Sequence, residues 1–375
     1  MEKVRYGIIG LGAMGSGHAT YLSNGEDPNA VLAAVCDSDP AALERATTRF
    51  SVPGFSDYKE MYASGLIDVV LVATPHYDHP QMSIDAFEAG IHVLCEKPAG
   101  VYTKQVREMN EAHAKYPDVK FTCMFLMRKY PAFAKIKDLI DSGELGTLKR
   151  ACWINTTWYR PQAYHDSSEW RGTWDGEGGG VLINQCPHNI DLWQWFFGVP
   201  DRVQAHMSFG KYYNIDVEDD VTAYLEYDNG FTGTFIVSTG EAPGTNRLEI
   251  VGDMGKVVLT DNEHLEFYRN RISEREHNRI NKEKMAQPEC WKVEVPVTGA
   301  NLAHKAITRN LSEAILFDKP LFVKGEEGMN SLQISNAMHL SAWTNQMVSL
   351  PVDEDKFYEL LQEYTKKASR KTFRK

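Results

Sequence analysis

The sequence lacks what a membrane or nucleic-acid protein would need. No stretch approaches the ~20 consecutive apolar residues of a membrane span. Its 40 Lys and Arg face 51 Asp and Glu, and the net charge of -11 argues against a nucleic-acid partner, whose phosphate backbone needs a basic face. The one basic run, KKASRKTFRK at the tail, reads as a solvated helix end. The six cysteines, at 36, 95, 123, 152, 186 and 290, form no CxxC pair. Most sit in apolar runs such as AAVCD, HVLCE and FTCMF and read as buried reduced thiols. There is no internal repeat and no low-complexity segment. MEKVRYGIIG enters a strand-like run without a signal-peptide region, and the expected location is cytoplasmic.

What is present is an ordinary globular balance, with 43% hydrophobic and 24% charged residues over 375 positions, enough for two or three domains. The first third alternates. Apolar runs VRYGIIG, AVLAAVCD, IDVVLVA, IHVLCE and VKFTCMF are separated by helix-like segments at 13–24, 40–49, 80–90 and 103–115. Continuous apolar strands between helices predict a parallel sheet covered on both faces. Asp39-Pro40 and Thr103 read as helix starts. Beyond residue 128 the rhythm changes. A helix at 131–141 leads into long alternating runs with turn signals at Asp228-Asn229-Gly230 and Gly252-Asp253-Met254-Gly255, which predict a mostly antiparallel sheet. Residues 271–284 are charged and unpatterned and read as a surface excursion; helical patterns return at 301–317, 326–346 and 354–366.

The segment VRYGIIGLGAMGSGHA contains Gly10-x-Gly12-x-x-Gly15 between a strand and a helix pattern. Gly10 permits the tight turn, Gly12 lets backbone approach a pyrophosphate, and Gly15 lets the helix pack close to the sheet. The next strand ends in Asp37, 22 positions after Gly15, where a carboxylate would bond the adenosine ribose. Asp37 would repel a 2′-phosphate and no Arg follows in SDPAAL, so NAD is favoured over NADP. The expected contacts are Gly10, Gly12, Ala13, Met14 and Gly15 in the loop, with Asp37 and Ser38 after the second strand. Thr74, Pro75 and His79 follow the third apolar run, and Glu96 and Lys97 the fourth, at the sheet edge where ligands bind. Lys97 is thereby expected near the nicotinamide, in a Lys-Pro turn where a cis bond is available.

GIIGLGAMG, VATPHYDH, EKP and GGGVLINQCPHNIDL, in that order, resemble the Gfo/Idh/MocA family of oxidoreductases across nearly the whole chain. The resemblance implies an α/β protein: an N-terminal Rossmann doubly wound parallel sheet, then a C-terminal α/β domain with a large, mostly antiparallel open sheet used for oligomer contacts. Domain limits of 1–127 and 128–375 follow, with C-terminal helices free to return to the first domain. It implies hydride transfer between NAD and a secondary alcohol of a sugar, glycoside (C3 of the ring is a family habit) or cyclitol. It matches the family's catalytic lysine to Lys97 and its active-site histidine to His188. Two departures stand out. The aspartate expected four residues before the histidine is Asn184, which cannot charge a neighbouring imidazole. Before Arg128, a cofactor-facing candidate, Leu126 and Met127 stand where relatives carry Asn or Gln.

A helix beginning near Ile183 would put Asn184, His188 and Asp191 on one face, with Pro187 in its first turn. His188 then serves as acid/base for the alcohol proton, while Asp191 reads as structural, bonding backbone near the glycines. The preceding INTTWYRPQAYHDSSEWRGTW is dense in aromatic and hydrogen-bonding groups. From it Tyr159, Arg160, Tyr164 and Trp170 join Lys97, Asn184 and His188 as expected substrate contacts, with Tyr159 and Arg160 preferred. His76 and His79 have ligand-like spacing but no third ligand in register, so no metal is expected. The expected partners are a small carbohydrate or polyol and further copies of the chain, as dimer, tetramer or hexamer; no nucleic acid or membrane is expected. Two alternatives stay open: a glycoside hydrolase or lyase that uses tightly bound NAD transiently, and a non-catalytic sensor. Inositol oxidation competes within the leading reading.

Overall fold

The computed structural model describes residues 3–368. The basic tail from residue 369 onward lies outside the described residues. Two compact units emerge. One is built from the chain up to Leu126 with Asp175–Gly178 and Leu302–Leu332; the other from Met127–Trp174, Gly179–Asn301 and the chain from Gln333 onward.

The first unit alternates strand and helix: β1 (Val4–Ile9), α1 (Ala13–Ser23), β2 (Ala30–Cys36), α2 (Pro40–Phe50), β3 (Gly54–Phe55), α3 (Tyr58–Ala63), β4 (Val69–Val72), α4 (His79–Glu88), β5 (His92–Cys95), α5 (Thr103–His113) and β6 (Phe121–Cys123). The strands pair in the order β3-β2-β1-β4-β5-β6, every pair parallel. β4 is buried at each residue, as a strand covered on both faces must be. Asp39 caps α2 by accepting from the Ala41 N–H at 3.0 Å, with Pro40 at the first helical position. β3 and α3 were not anticipated, because two and six residues are too short for a periodic pattern.

The second unit begins with α6 (Pro131–Asp141), β7 (Leu148–Asn155), α7 (Gln162–His165) and α8 (Pro187–Phe197). There follow β8 (Arg202–Phe209), β9 (Glu218–Glu226), β10 (Thr232–Ser238), β11 (Asn246–Gly252), β12 (Gly255–Thr260), β13 (His264–Asn270), α9 (Glu274–Ile280) and β14 (Cys290–Val293). The chain then enters α10 (His304–Phe317), which packs in the first unit, where the Tyr6 hydroxyl meets Ser312 at 2.9 Å. α11 (Gly328–Thr344), β15 (Val348–Ser349) and α12 (Glu354–Lys367) complete the fold. The nine strands run β14-β13-β12-β11-β7-β10-β9-β8-β15, and all pairs are antiparallel except β10 with β7. Both hairpin signals sit where expected, between β9 and β10 and between β11 and β12. The surface excursion at 271–284 contains a helix instead of an irregular run. α9 buries none of its residues, so no apolar stripe announced it; the Ser273 hydroxyl caps it by accepting from Glu276.

β9 and β10 alternate between buried and more exposed residues, so this sheet is packed on one face. The packed face is aromatic. Trp153 and Trp193 meet Phe235 edge to face, with ring centroids 6.1 and 5.8 Å apart, and the Trp193 indole N–H donates to the Tyr227 hydroxyl at 2.9 Å. These contacts seat α8 against the sheet and hold the chain around His188. Replacing the fully buried Trp153 by Ala should destabilise this unit by about 3–5 kcal/mol. A lowered urea midpoint, with α8 gaining hydrogen-exchange lability, is the expected measurement.

Candidate active site

β1 ends at Ile9, and the chain turns through Gly10 to Gly12, which precedes α1. Gly10 has φ +87°, and a Cβ there would lie 2.6 Å from the Ala73 carbonyl oxygen. A Cβ on Gly15 would lie 1.8 Å from the Gly10 carbonyl oxygen, so α1 sits against the turn only because Gly15 has no side chain. At Gly12 a Cβ would meet nothing within 4 Å. Gly12, Ala13 and Met14 are exposed, between buried Leu11 and Gly15. α1 has no side-chain cap and no acid in its first turn, so its N-terminal N–H groups and dipole face an open cradle suited to an anion. The Asp37 carboxylate accepts from the Leu11 N–H at 2.6 Å and the Asp39 N–H at 2.9 Å. With about four acceptor positions on a carboxylate, Asp37 both ties the loop down and keeps capacity for ribose hydroxyls; Ser38 beside it is exposed. These residues fit a dinucleotide.

Parallel pairing aligns the ends of three strands, Ile9 beside Val72 and Val72 beside Cys95. Gly10, Thr74-Pro75 and Glu96-Lys97 therefore leave the sheet along one edge. The Lys97–Pro98 bond is cis. Between Val93 and Val101, Lys97 is the one residue that is not buried. His79 opens α4 and is buried, with Nδ1 2.8 Å from the Pro98 carbonyl and Nε2 2.8 Å from the Thr74 carbonyl. Carbonyl oxygens only accept, so both ring nitrogens carry hydrogen and the ring is an imidazolium. Burial opposes that charge, but the Cys95 sulfur and the two carbonyls outweigh it, and the group is pushed up to about 9. His79 thus clamps the turn after β4 to the turn after β5.

In the second unit, Tyr164 gathers the expected residues. Its hydroxyl receives N–H bonds from Arg171, from Asn184 at 3.2 Å and from Gln185 at 3.4 Å. The Arg160 guanidinium lies 5.3 Å from its ring centroid, and that of Arg171 lies 4.4 Å from Tyr164 and 4.5 Å from Trp170. Tyr159 is exposed, its carbonyl held by Arg160 at 2.9 Å. From Glu177 to Gln194 every residue is buried except Asn184 and His188.

The helix bearing His188 begins at Pro187, not near Ile183. Residues Val181–Gln185 form a separate wider turn, with the Cys186 N–H bonded to the Val181 carbonyl. Proline has no N–H to continue a preceding helix, so it starts a new one. Asp191 has a structural ion pair. Buried with it, Arg128 donates Nε and Nη2 to its two oxygens at 2.8 and 2.6 Å, and Gln194 adds a third bond at 3.0 Å. The turn at 180–182 is held by buried Glu218, which accepts from the Gly180 and Leu182 N–H groups at 2.8 and 2.9 Å and faces His339 at 3.0 Å. Glu218 and His18 went unnoticed in the sequence, since a lone buried acid or histidine has no local signature. The ring nitrogens of His79 are both occupied by carbonyls, which leaves no ligand pair in PHYDHP. Among the described residues, His18, Glu96 and His304 bring ligand-type atoms within 4.8 Å of one another.

The clamp makes a spectroscopic prediction. Nitrogen-15 spectra of the protein should show both His79 ring nitrogens protonated at pH 7.5, with the proton lost only as pH rises through about 9. A neutral ring at pH 7 would contradict the assignment.

Comparison with known proteins agrees with this geometry. Residues 4–122 match the family described as "Oxidoreductase family, NAD-binding Rossmann fold", and residues 133–258 match the "GFO/IDH/MocA C-terminal domain". Mouse trans-1,2-dihydrobenzene-1,2-diol dehydrogenase is 28% identical over 239 residues, 63% of this chain and 68% of that protein. The scyllo-inositol 2-dehydrogenase (NAD(+)) of Bacillus subtilis is 28% identical over 272 residues, 69% of this chain and 74% of that protein. Among solved structures, the WlbA dehydrogenase of Bordetella pertussis, in complex with NADH and UDP-GlcNAcA, superimposes with a TM-score of 0.80 at 25% identity, covering 94% of this chain and 100% of that one. The chain belongs to the Gfo/Idh/MocA family and is an NAD-dependent oxidoreductase acting on CH–OH groups.

Proposed function

We propose that the protein oxidises or reduces a secondary alcohol on a sugar, glycoside or cyclitol, with Lys97 and His188 as its catalytic residues. One observation carries the reading. In each unit, a buried segment brings out only the polar groups that this chemistry needs: Lys97 in the first, Asn184 and His188 in the second. NAD, when bound, exchanges a hydride at nicotinamide C4. The Lys97 ammonium orients and polarises the reacting oxygen, and the His188 imidazole takes or returns the hydroxyl proton. Asn184, neutral and bonded to Tyr164, offers its amide to a neighbouring hydroxyl without charging the imidazole. Gly12, Ala13, Met14 and Asp37 hold the dinucleotide, with Ser38, Thr74 and Pro75 flanking it. His79, Glu96 and Arg128 are buried and act by positioning.

The substrate class rests on the aromatic and guanidinium cluster of Tyr159, Arg160, Tyr164 and Trp170. Aromatic faces suit the C–H patches of a ring, and the donors around them suit its hydroxyls. UDP-GlcNAcA, present with NADH in the WlbA complex, and an inositol both fall within this class. The one-sided nine-stranded sheet supports a homo-oligomer.

A panel of sugars, glycosides, sugar acids and inositols with NAD and NADP tests the reading by NADH absorbance. Accumulating NADH with at least one member is the expected result, whereas product without accumulation would favour an NAD-assisted hydrolase. Lys97→Ala should abolish turnover with NADH binding retained. His188→Asn should lower kcat by roughly 10²–10⁴-fold, the usual contribution of a general acid or base. Unchanged turnover in either variant would overturn its role.

A further inference from the structure

A line of hydrogen bonds runs through the interior of the first unit and ends on the turn that carries Lys97. The Thr308 hydroxyl on α10 contacts the Tyr21 hydroxyl on α1 at 2.5 Å, and Tyr21 contacts His18 Nδ1 at 3.0 Å. His18 Nε2 lies 2.7 Å from Glu96 Oε1, and Glu96 Oε2 accepts the Lys97 backbone N–H at 3.1 Å. His18, Glu96 and Thr308 are buried.

The direction of the protons follows from the end group. A carboxylate only accepts, so His18 donates from Nε2. Its Nδ1 sits against the Tyr21 hydroxyl, which in turn meets that of Thr308. The two N–H donors on the buried carboxylate, His18 Nε2 and the Lys97 backbone, stabilise a negative charge there. Burial acts against that charge, but His18, Lys97 and His304 outweigh it, and Glu96 is brought down to about 2. The charged and titratable groups around the carboxylate are His18 and Tyr21 from α1, His304 from α10, and Lys97 and Cys95 from its own turn. His18 has a hydrogen-bond partner at each ring nitrogen, and Glu96 has one at each oxygen.

We infer that Glu96 is a positioning residue whose buried carboxylate, held anionic through His18, Tyr21 and Thr308, fixes the Lys97 turn and keeps the Lys97 side chain an ammonium. The inference rests on the proposed role of Lys97. It adds that the charge of that lysine is set from α10 and α1, far along the chain from the turn itself.

The test reads Lys97 without turnover, so it stands apart from the search for a substrate. Lys97 acetylation is followed against pH by competitive labelling and peptide mass spectrometry, with NADH binding as the check of folding. In Glu96→Gln the labelling midpoint of Lys97 should fall by about one pH unit, because an opposite charge nearby no longer favours the ammonium. NADH affinity should stay within roughly threefold, and once a substrate is in hand kcat should drop at least tenfold with its alkaline limb shifted the same way. If Glu96→Gln does not bind NADH, His18 decides. In His18→Phe the buried carboxylate, deprived of its donor, takes up a proton, and the Lys97 midpoint falls in the same direction. His18→Gln restores an N–H donor and should recover part of the shift. A Lys97 midpoint that is the same in the wild type and in any folded Glu96→Gln or His18→Phe protein overturns the inference.

Discussion

Parallel pairing of β1, β4 and β5 is the constraint on which the cofactor half of this protein depends. Ile9, Val72 and Cys95 stand side by side in register, so the residues that follow them leave the sheet together. No single loop could bring a glycine turn, Thr74 and Lys97 to one edge; three strands buried on both faces do so because their hydrogen bonds permit only this register. The apolar burial that stabilises the sheet and the placement of the polar groups are therefore one event.

Buried charge then refines the placement. His79 joins the turns after β4 and β5 through two carbonyls, and Glu96 takes His18 on one oxygen and the Lys97 N–H on the other. The second unit uses the same device twice. Arg128 forks onto Asp191 of α8, and Glu218 holds the turn at Gly180 and Leu182 against His339. Such pairs add little net stability over a well-packed apolar core, yet breaking one partner of a buried pair costs about 3–5 kcal/mol. Their value is specificity of position. Lys97 in one unit, and Asn184 with His188 in the other, are the residues of their segments that are not buried.

The elements with long periodic patterns could be read directly. The five apolar runs of the first third, the helix at 131–141, both hairpin turns and the glycine fingerprint appear as expected. What escaped were short or wholly exposed elements, β3, α3, α9 and β14, which have too few residues or too little apolar patterning to declare themselves. The start of the His188 helix was misplaced because spacing alone joined Asn184 to His188. Proline at 187 breaks the ladder between them, and the five residues before it wind more widely.

The sequence by itself determined the order of strands and helices, the cradle for an anion at Gly12, the acid at Asp37 and the lysine at a strand end. These depend on local rules: steric freedom at glycine, side-chain periodicity and the polarity of a strand. Tertiary structure alone decided which polar groups were withdrawn into the interior. Arg128 and Glu96 are each buried against a partner from elsewhere in the chain, 63 residues away for Arg128 and 78 for Glu96, while His79 is buried between the Thr74 and Pro98 carbonyls. A charge finds its partner only once the chain has folded, because the cost of desolvating it is met by groups that lie near in space and not in sequence.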